Sequence, residues 1–306
     1  MTTQLFEKTL EQFWYVEMTS EKGFMHIRNN MPLQDSISSS GNLYSEAGPI
    51  FLAVADGHGD ISHFRSSTGA SIATSLTIEI LQQFADKVQL AGQTEKDRLI
   101  SSDNIVETVL KDIVSNWKTA VLDDLANNPF NSNEIKTIEA RKLTDYESNP
   151  TVAYGTTLIG CTIIGSVVLF VQIGDGDVVV MAGDGSVYNP IPIDPSLVSN
   201  RTTSLCQKNP IQSFRISVIN IESTPIDMIM LSTDGFGNSQ IEPNWYKGVL
   251  TDIASFSQKH GMLWVRENLP NWAKLCASRE GSGDDTTIGL IVSEHLLNRH
   301  EYGGKI

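Results

Sequence analysis

Residues 50–60 read Ile50-Phe51-Leu52-Ala53-Val54-Ala55-Asp56-Gly57-His58-Gly59-Asp60, and this stretch carries the strongest structural signal in the chain. Its first six residues are all apolar, as in a strand that is buried on both faces. An ionisable side chain is costly inside such a strand, so Asp56 marks the point where the strand reaches the surface. The two Gly residues that flank His58 indicate a turn. The stretch therefore predicts a buried strand that delivers a carboxylate to one edge of a sheet.

The same combination of an apolar run and a terminal Asp recurs three more times. Asp175 and Asp234 each follow such a run, and the pair Asp284-Asp285 precedes one. If these strand ends meet at one edge, their carboxylates repel one another unless they hold hard divalent cations. The pattern predicts a metal site with oxygen ligands. The three runs are Val167–Gly174, Met228–Thr233 and Thr286–Val292.

The composition is that of an ordinary globular protein with an excess of acids. The chain has 306 residues, is 40% hydrophobic and carries a formal net charge of −14. That charge argues against nucleic acid as a partner, because phosphate backbones attract clustered Lys and Arg. Three separated Cys without a CxxC motif indicate a reducing compartment. With no signal core and no apolar run of membrane-spanning length, we expect a cytoplasmic protein that does not contact a membrane.

Helical periodicity predicts helices at about 66–86, 103–125 and 245–277. Asp103 is the expected N-cap of the second helix, and Pro270 is expected to interrupt the third. The polar segment 127–150 predicts a long loop, and the tail from residue 295 predicts a frayed end.

Short β-branched and apolar runs predict the strands. Between residues 155 and 193, Gly and Asp turns separate three of them and predict an antiparallel meander. Because strands and helices are segregated along the chain, we expect an α+β fold with antiparallel sheets, as a single domain over residues 1–306. The predicted strands are 12–19, a second strand entered from the loop at residues 31–38, and then 50–55, 156–164, 167–173, 178–181, 213–221, 228–231 and 286–292.

Five short segments between residues 34 and 287 together, and in their order along the chain, indicate a protein family. They are Gln34-Asp35-Ser36; Val54-Ala55-Asp56-Gly57-His58-Gly59; Gly155-Thr156-Thr157 leading to Ile173-Gly174-Asp175; Leu231-Ser232-Thr233-Asp234-Gly235; and Gly283-Asp284-Asp285-Thr286-Thr287. In this order the chain resembles the metal-dependent protein phosphatase type 2C family, and its shorter bacterial branch in particular. The resemblance implies a four-layer α-β-β-α sandwich, in which helices flank two antiparallel sheets and the metal ions lie at one end.

The resemblance also implies which residues hold the metal ions. Asp56 would bridge two ions, and the carbonyl oxygen of Gly57 would complete the shell of one of them. Asp234 and Asp284 would ligate the other ion together with Asp56, while Asp175 would help to hold a weaker third ion. Oxygen ligands of this kind favour Mg²⁺ or Mn²⁺ over Zn²⁺. Asp285 remains an alternative to its neighbour Asp284.

Two further roles follow from the resemblance, and one family residue is missing. Asp35 would hold metal-associated water, and His58 would be the general acid for the leaving alkoxide, although a His in a turn can also serve only as a hydrogen-bonding group. The family often has an Arg five residues before its first Asp, where it grips the phosphate. Asn30 occupies that position here, so Arg28 and His26 are the candidates for substrate binding.

The implied reaction is hydrolysis of phosphoserine and phosphothreonine in proteins. A water or hydroxide that bridges two metal ions would attack phosphorus directly, without a phosphoenzyme. The chain has no CxxxxxR motif, which disfavours a thiolate mechanism. Two alternatives remain open at this point: a catalytically inactive relative that binds or regulates a partner, and a phosphatase of a small phosphorylated metabolite. The oligomeric state does not follow from the sequence.

Overall fold

The structure is a computed structural model that describes residues 13–41, 48–136, 146–194 and 202–302. Its strands pair antiparallel throughout, and they form two five-stranded sheets flanked by helices, as predicted. The strands are β1 Trp14–Glu21, β2 Ser36–Gly41, β3 Ile50–Ala55, β4 Leu158–Ile164, β5 Val167–Ile173, β6 Asp177–Ala182, β7 Val187–Tyr188, β8 Arg215–Asn220, β9 Ile226–Ser232 and β10 Thr286–Ser293. Sheet I has the strand order β1-β10-β9-β6-β7, and sheet II has the order β2-β3-β4-β5-β8.

Helices cover the outer face of each sheet. A π-helical turn at Val106–Leu110 joins α4 to α5, and short 3₁₀ turns occur at Ile61–His63, Pro150–Tyr154 and Pro210–Ser213. The α-helices are α1 Phe24–Arg28, α2 Ser66–Leu90, α3 Gln93–Leu99, α4 Ser102–Ile105, α5 Lys111–Asn127, α6 Ser132–Lys136, α7 Asp234–Gly237, α8 Trp245–His260, α9 Met262–Cys276 and α10 Glu294–Tyr302.

Apolar side chains join the four layers. Leu52 and Phe170 of sheet II pack against Leu231 and Ile291 of sheet I, and all four are buried. Burial of each such side chain contributes roughly 1.5–3 kcal/mol relative to exposure. On the outer face of sheet II, the Nε1–H of Trp117 in α5 donates to the carbonyl of Gly69 in α2 at 2.9 Å, which locks these two helices together. Helices α8 and α9 cover sheet I in the same way, with Leu250, Val265 and Leu269 buried against it.

The predicted meander is wrong at its third strand. β5 pairs with β4 and β8 in sheet II, whereas β6 pairs with β7 and β9 in sheet I. The chain crosses between the sheets at Gly174, whose φ of 101° lies in the left-handed region. A turn signal shows that the chain reverses but does not specify which sheet the next strand joins. The crossing leaves Asp175 at the end of the sandwich, between the two sheets.

Two details of the predicted helices are also wrong. Ser101, not Asp103, caps the second helical region, because its hydroxyl accepts the backbone N–H of Asn104. In the C-terminal region the break falls at Gly261, whose φ is 79°, while Pro270 lies inside α9. Gly261 adopts a left-handed backbone conformation that other residues avoid, and this ends α8 and starts α9. Pro270 lies within α9 and does not end it.

The segment predicted as a loop and the predicted frayed tail both contain helix. Within 127–150, α6 forms at Ser132–Lys136, and residues 137–145 lie outside the described residues. The tail forms α10 up to Tyr302, because Asp227 of β9 pairs with His295 and Arg299 of that helix. In the part of the chain that the structure describes, no helix is both long and apolar enough to cross a membrane.

Candidate active site

A cavity of about 520 Å³ opens at the end of the sandwich where strands of both sheets terminate. Asp56 follows β3, Asp175 follows β5, Asp234 follows β9, and Asp284 precedes β10. The structure therefore brings four predicted metal ligands and His58 to one cavity, whereas Gly57, Asp35, His26 and Arg28 lie outside its lining. The lining residues are Asp56, His58, Gly59, Thr157, Asp175, Thr202, Asp234, Asn238 and Asp284.

Asp56 is fixed by its neighbours in sheet II. Its backbone N–H donates to the Thr157 hydroxyl at 3.0 Å, and its carbonyl accepts the Thr157 N–H at 2.9 Å. Gly57 comes next, and a Cβ at this position would lie 2.5 Å from the carbonyl oxygen of Gln34 and 2.8 Å from that of Ser66. Only glycine fits there, so the close packing of three backbone segments explains the Asp-Gly pair.

Asp56 lies close to several other acids of the cavity. Burial raises the pKa of Asp56 well above its ordinary value, and the neighbouring carboxylates of Asp35, Asp234 and Asp284 raise it further. Burial also raises the pKa of Asp234, and the charges of Asp175 and Asp284 act in the same direction. Hydrogen bonds with the Asp56 side chain and with the Asn238 amide, which donates to Oδ2 at 3.0 Å, oppose this rise in pKa. This arrangement destabilises the ionised carboxylates until a positive charge enters the cavity.

The adjacent acids Asp284 and Asp285 occupy different environments. The side chain of Asp284 is 54% exposed and faces the cavity, whereas that of Asp285 is 2% exposed. Asp285 accepts the backbone N–H groups of Gly23 at 2.8 Å and Gln34 at 2.6 Å. Because both oxygens of Asp285 accept backbone N–H groups, Asp284 is the member of the pair that can bind a cation in the cavity.

His26 is buried and lies between these two acids. Its Nδ1 is 2.7 Å from Asp285 Oδ2, and its Nε2 is 3.3 Å from Asp284 Oδ1. Both contacts are ion pairs when the imidazole is protonated. The Asp285 contact raises the pKa of His26, and Asp284 adds to this effect against the opposing effect of burial.

Asp35 is buried behind the cavity. Its Oδ2 accepts the hydroxyls of Thr233 and Thr287, each at 2.8 Å, and these two residues lie next to the ends of β9 and β10. Burial raises the pKa of Asp35 to about 8, because the two hydroxyl hydrogen bonds only partly compensate for lost hydration. The structure thus ties Asp35 to the strand ends that present Asp234 and Asp284.

His58 lines the cavity as a largely buried imidazole. Its backbone N–H donates to the Gly155 carbonyl at 3.1 Å, and its ring meets that of His63 edge-on with centroids 4.8 Å apart. Burial lowers the pKa of His58 to about 3, with a further lowering by His63 and an opposing effect of Asp60. The imidazole is therefore neutral near pH 7.

Arg28 lies at the exposed C-terminal end of α1, and it is not among the residues that line the cavity. Of the described residues that do line it, none is Lys or Arg. The described lining residues thus supply acids, hydroxyls, one amide and one imidazole to the cavity.

A comparison with known protein families matches residues 22–273 to the family described as protein phosphatase 2C. The match covers most of the chain and includes every segment that lines the cavity except Asp284. This chain belongs to the protein phosphatase 2C family. The resemblance found in the sequence is confirmed.

Solved structures confirm the phosphatase 2C fold. A bacterial serine phosphatase is 14% identical with a TM-score of 0.56, covering 90% of this chain and 96% of that one. The catalytic domain of the phosphatase PstP, solved with two manganese ions, is 15% identical with a TM-score of 0.53, covering 92% and 99%. The serine/threonine phosphatase of S. agalactiae is 18% identical with a TM-score of 0.51, also covering 92% and 99%. A search of curated proteins found no match.

The residues at the cavity fit the metals of this phosphatase family in donor type. Asp56, Asp175, Asp234 and Asp284 supply carboxylate oxygens, which Mg²⁺ and Mn²⁺ prefer. Burial raises the pKa values of Asp56 and Asp234, and a cation in the cavity would lower them by favouring the ionised carboxylates. Among the described residues, no group of three or more His, Cys, Asp and Glu side chains is gathered closely enough to hold a metal ion.

Several residues that line or adjoin the cavity are not predicted from the sequence. Asn238 is four residues after Asp234 and one helical turn away, a spacing that could have revealed it. The sequence around Asp177 indicates a solvated turn residue, but burial raises its pKa to about 7, and the charges of Asp234 and Asp175 contribute. Thr202 carries no local signal, since it reaches the cavity from a segment distant in sequence.

Proposed function

We propose that this protein is a Mg²⁺- or Mn²⁺-dependent phosphatase that hydrolyses phosphoserine and phosphothreonine in cytoplasmic proteins. The observation that carries the proposal is that Asp56, Asp175, Asp234 and Asp284 line one cavity together with His58. Membership of the phosphatase 2C family and the bacterial phosphatase fold support this activity. The two manganese ions in the PstP structure support the choice of metal.

Within this proposal, Asp56, the Gly57 carbonyl, Asp234 and Asp284 would hold two metal ions, and Asp175 would help to hold a third. When bound, the ions would neutralise phosphate oxygens and activate a water molecule for attack on phosphorus. The cavity carboxylates favour cations, because each is more stable when ionised beside a positive charge. Asp35 would fix the ends of β9 and β10 through Thr233 and Thr287, and hold water on the cavity side.

His58 would deliver a proton to the leaving alkoxide oxygen. Its pKa is low in the isolated protein, so it must take up that proton when the substrate is bound. A phosphate dianion beside the ring would favour the charged imidazolium, which is the direction that this proton uptake requires. Arg28, exposed at the end of α1, would contact phosphate or the peptide that carries it.

A second candidate is a catalytically inactive phosphatase-fold protein that binds a partner. The observation that favours it is the composition of the cavity, which has no Lys or Arg among its described lining residues. Such a protein could retain the cavity without gripping a phosphate dianion.

The deciding experiment is hydrolysis of p-nitrophenyl phosphate by the purified protein in Mn²⁺, in Mg²⁺ and in a chelator. We expect metal-dependent turnover that Asp56→Asn abolishes and that Asp184→Asn leaves unchanged. Asp184 is a matched control because it lies in an exposed turn, where it accepts the Ser186 N–H at 2.9 Å. If the folded wild-type protein shows no turnover with either metal, the inactive binding protein becomes the better description.

A substrate panel then tests the substrate class. We expect faster turnover of phosphoserine and phosphothreonine peptides than of a matched phosphotyrosine peptide or a sugar phosphate. Preference for the sugar phosphate would instead identify a metabolite phosphatase.

A further inference from the structure

The short helix α1 turns one side chain inward, and that side chain reaches the metal-ligand candidate Asp284. His26 is 7% exposed, although its neighbours Met25 and Ile27 on the same helical turn are 44% and 63% exposed. A buried imidazole normally needs polar partners. The partners here are Asp284 and Asp285, at 3.3 Å and 2.7 Å.

The backbone on both sides of His26 is tied to the same pair of acids. Gly23, which precedes α1, donates to Asp285, and Gln34, which follows the loop after α1, donates to the other oxygen of the same carboxylate. The N–H of Met25 also donates to the carbonyl of Gly283 at 2.8 Å. The position of His26 relative to the acids is thus determined by the backbone and does not depend on the imidazole contacts alone.

Asp284 needs such support more than the other cavity acids do. Its side chain is half exposed, so its rotamers cost little to exchange, and the other carboxylates repel it from the cavity. His26 and the backbone N–H of Asp285, at 2.9 Å, both approach its Oδ1. Oδ2 is left as the oxygen that can turn to the cavity.

We propose that His26 is a positioning residue that acts on the metal site through Asp284, and not a residue that binds the substrate phosphate. This inference rests on the proposed function. Groups that orient a metal ligand from behind typically change metal affinity roughly 10–100-fold when they are removed. A phosphate-binding residue would instead change KM and leave metal affinity unaltered.

The test compares wild-type protein with His26→Gln, His26→Ala and His260→Gln. His26→Gln retains a donor of similar length, and His260→Gln makes the same chemical change on the exposed end of α8. The Mn²⁺ dissociation constant is measured by titration calorimetry on chelator-stripped protein. Thermal midpoints of the metal-free variants report whether each one folds, and kcat and KM for p-nitrophenyl phosphate are measured over a range of Mn²⁺ concentrations.

We expect Mn²⁺ affinity to fall roughly 10–100-fold in His26→Ala and less in His26→Gln, with no change in His260→Gln. Saturating Mn²⁺ should restore most of kcat, and KM should stay within about twofold of wild type. Unchanged Mn²⁺ affinity with a raised KM in a folded His26 variant would overturn the inference and make His26 a phosphate-binding residue. A wild-type protein that binds no Mn²⁺ would overturn the proposed function, and this inference with it.

Discussion

Strand β9 has an acid near each of its ends, and the two acids have opposite surroundings. Asp227 is 1% exposed and pairs with Arg299 and with His295 Nδ1 at 3.0 Å. Asp234, beyond the other end, lies among the acids Asp56, Asp175 and Asp284, shares a side-chain hydrogen bond with Asp56 and accepts the Asn238 amide. Asp227 holds α10 on the sheet through its ion pairs. Burial and like charges make the ionised form of Asp234 unfavourable, and a cation would stabilise it. The charge of the neighbouring groups thus decides the role of an Asp at a strand end. Cationic neighbours make it a stabilising residue of the fold, and acidic neighbours make it a candidate cation ligand.

Asp234→Asn should produce the largest effect, and on activity rather than on stability. Loss of one metal ligand should lower kcat/KM by about 100-fold or more, since metal ions contribute several kcal/mol of transition-state stabilisation. The metal-free protein should keep its unfolding free energy or gain up to about 1 kcal/mol, because a repulsive charge is removed. Kinetics in Mn²⁺ and urea unfolding in a chelator measure the two effects. A large loss of metal-free stability would show that Asp234 is a structural acid like Asp227.

Arg299→Met should have the opposite effect and lower stability rather than activity. It leaves the buried Asp227 carboxylate with only His295 and Ser293 as partners, so we expect a loss of about 3 kcal/mol in unfolding free energy. Metal affinity and kcat should not change. Urea unfolding measures the effect, and Arg279→Met, in an exposed turn, provides the control. A variant as stable as wild type would mean that α10 does not depend on this ion pair.

Asp35 extends the comparison. It is buried like Asp227, but its carboxylate accepts hydrogen bonds from the hydroxyl groups of Thr233 and Thr287 instead of pairing with an arginine. Its folded pKa of about 8 lies above the ordinary value, so between about pH 4 and pH 8 the unfolded state binds fewer protons than the folded state. The stability that protonated Asp35 contributes is full below pH 4 and is lost as pH rises toward 8. In metal-free protein we expect a loss of roughly 3–4 kcal/mol between pH 5 and pH 8. Urea unfolding at several pH values should show a flatter profile for Asp35→Asn, and an unchanged profile would exclude Asp35 as its source.

Glu134→Gln should have the smallest effect of the four. Glu134 of α6 accepts from Arg65 Nε at 2.8 Å and Nη2 at 2.9 Å, and Arg65 also lies over the Phe130 ring at 4.9 Å. We expect a loss of about 1 kcal/mol, since Arg65 keeps its other partners. Glu107→Gln, in an exposed pair with Lys111, should cost less than about 0.5 kcal/mol. Equal losses in the two variants would show that the Arg65 contacts do not stabilise α6.

The acids at the strand ends were easier to predict from the sequence than the sheet that each strand joins. Asp56, Asp175 and Asp234 could be identified because a carboxylate is costly beside a buried apolar run, which sets such an acid apart from the exposed acids of the surface. The sequence could not choose between Asp284 and Asp285, since that choice depends on the backbone N–H groups of Gly23 and Gln34 about 250 residues away. It also could not predict that β6 leaves the meander, because the same turn can lead to either sheet.

The sequence by itself determined the strands other than the two-residue β7, their polar ends, the antiparallel α+β class and the family. These properties are local, because hydrophobic periodicity and turn residues act over a few positions along the chain. Tertiary structure alone decided that Asp227 is a paired structural acid, that His26 lies between Asp284 and Asp285, and that burial makes His58 neutral. Those outcomes depend on distances and desolvation between segments far apart in sequence, which become defined only when the two sheets pack together.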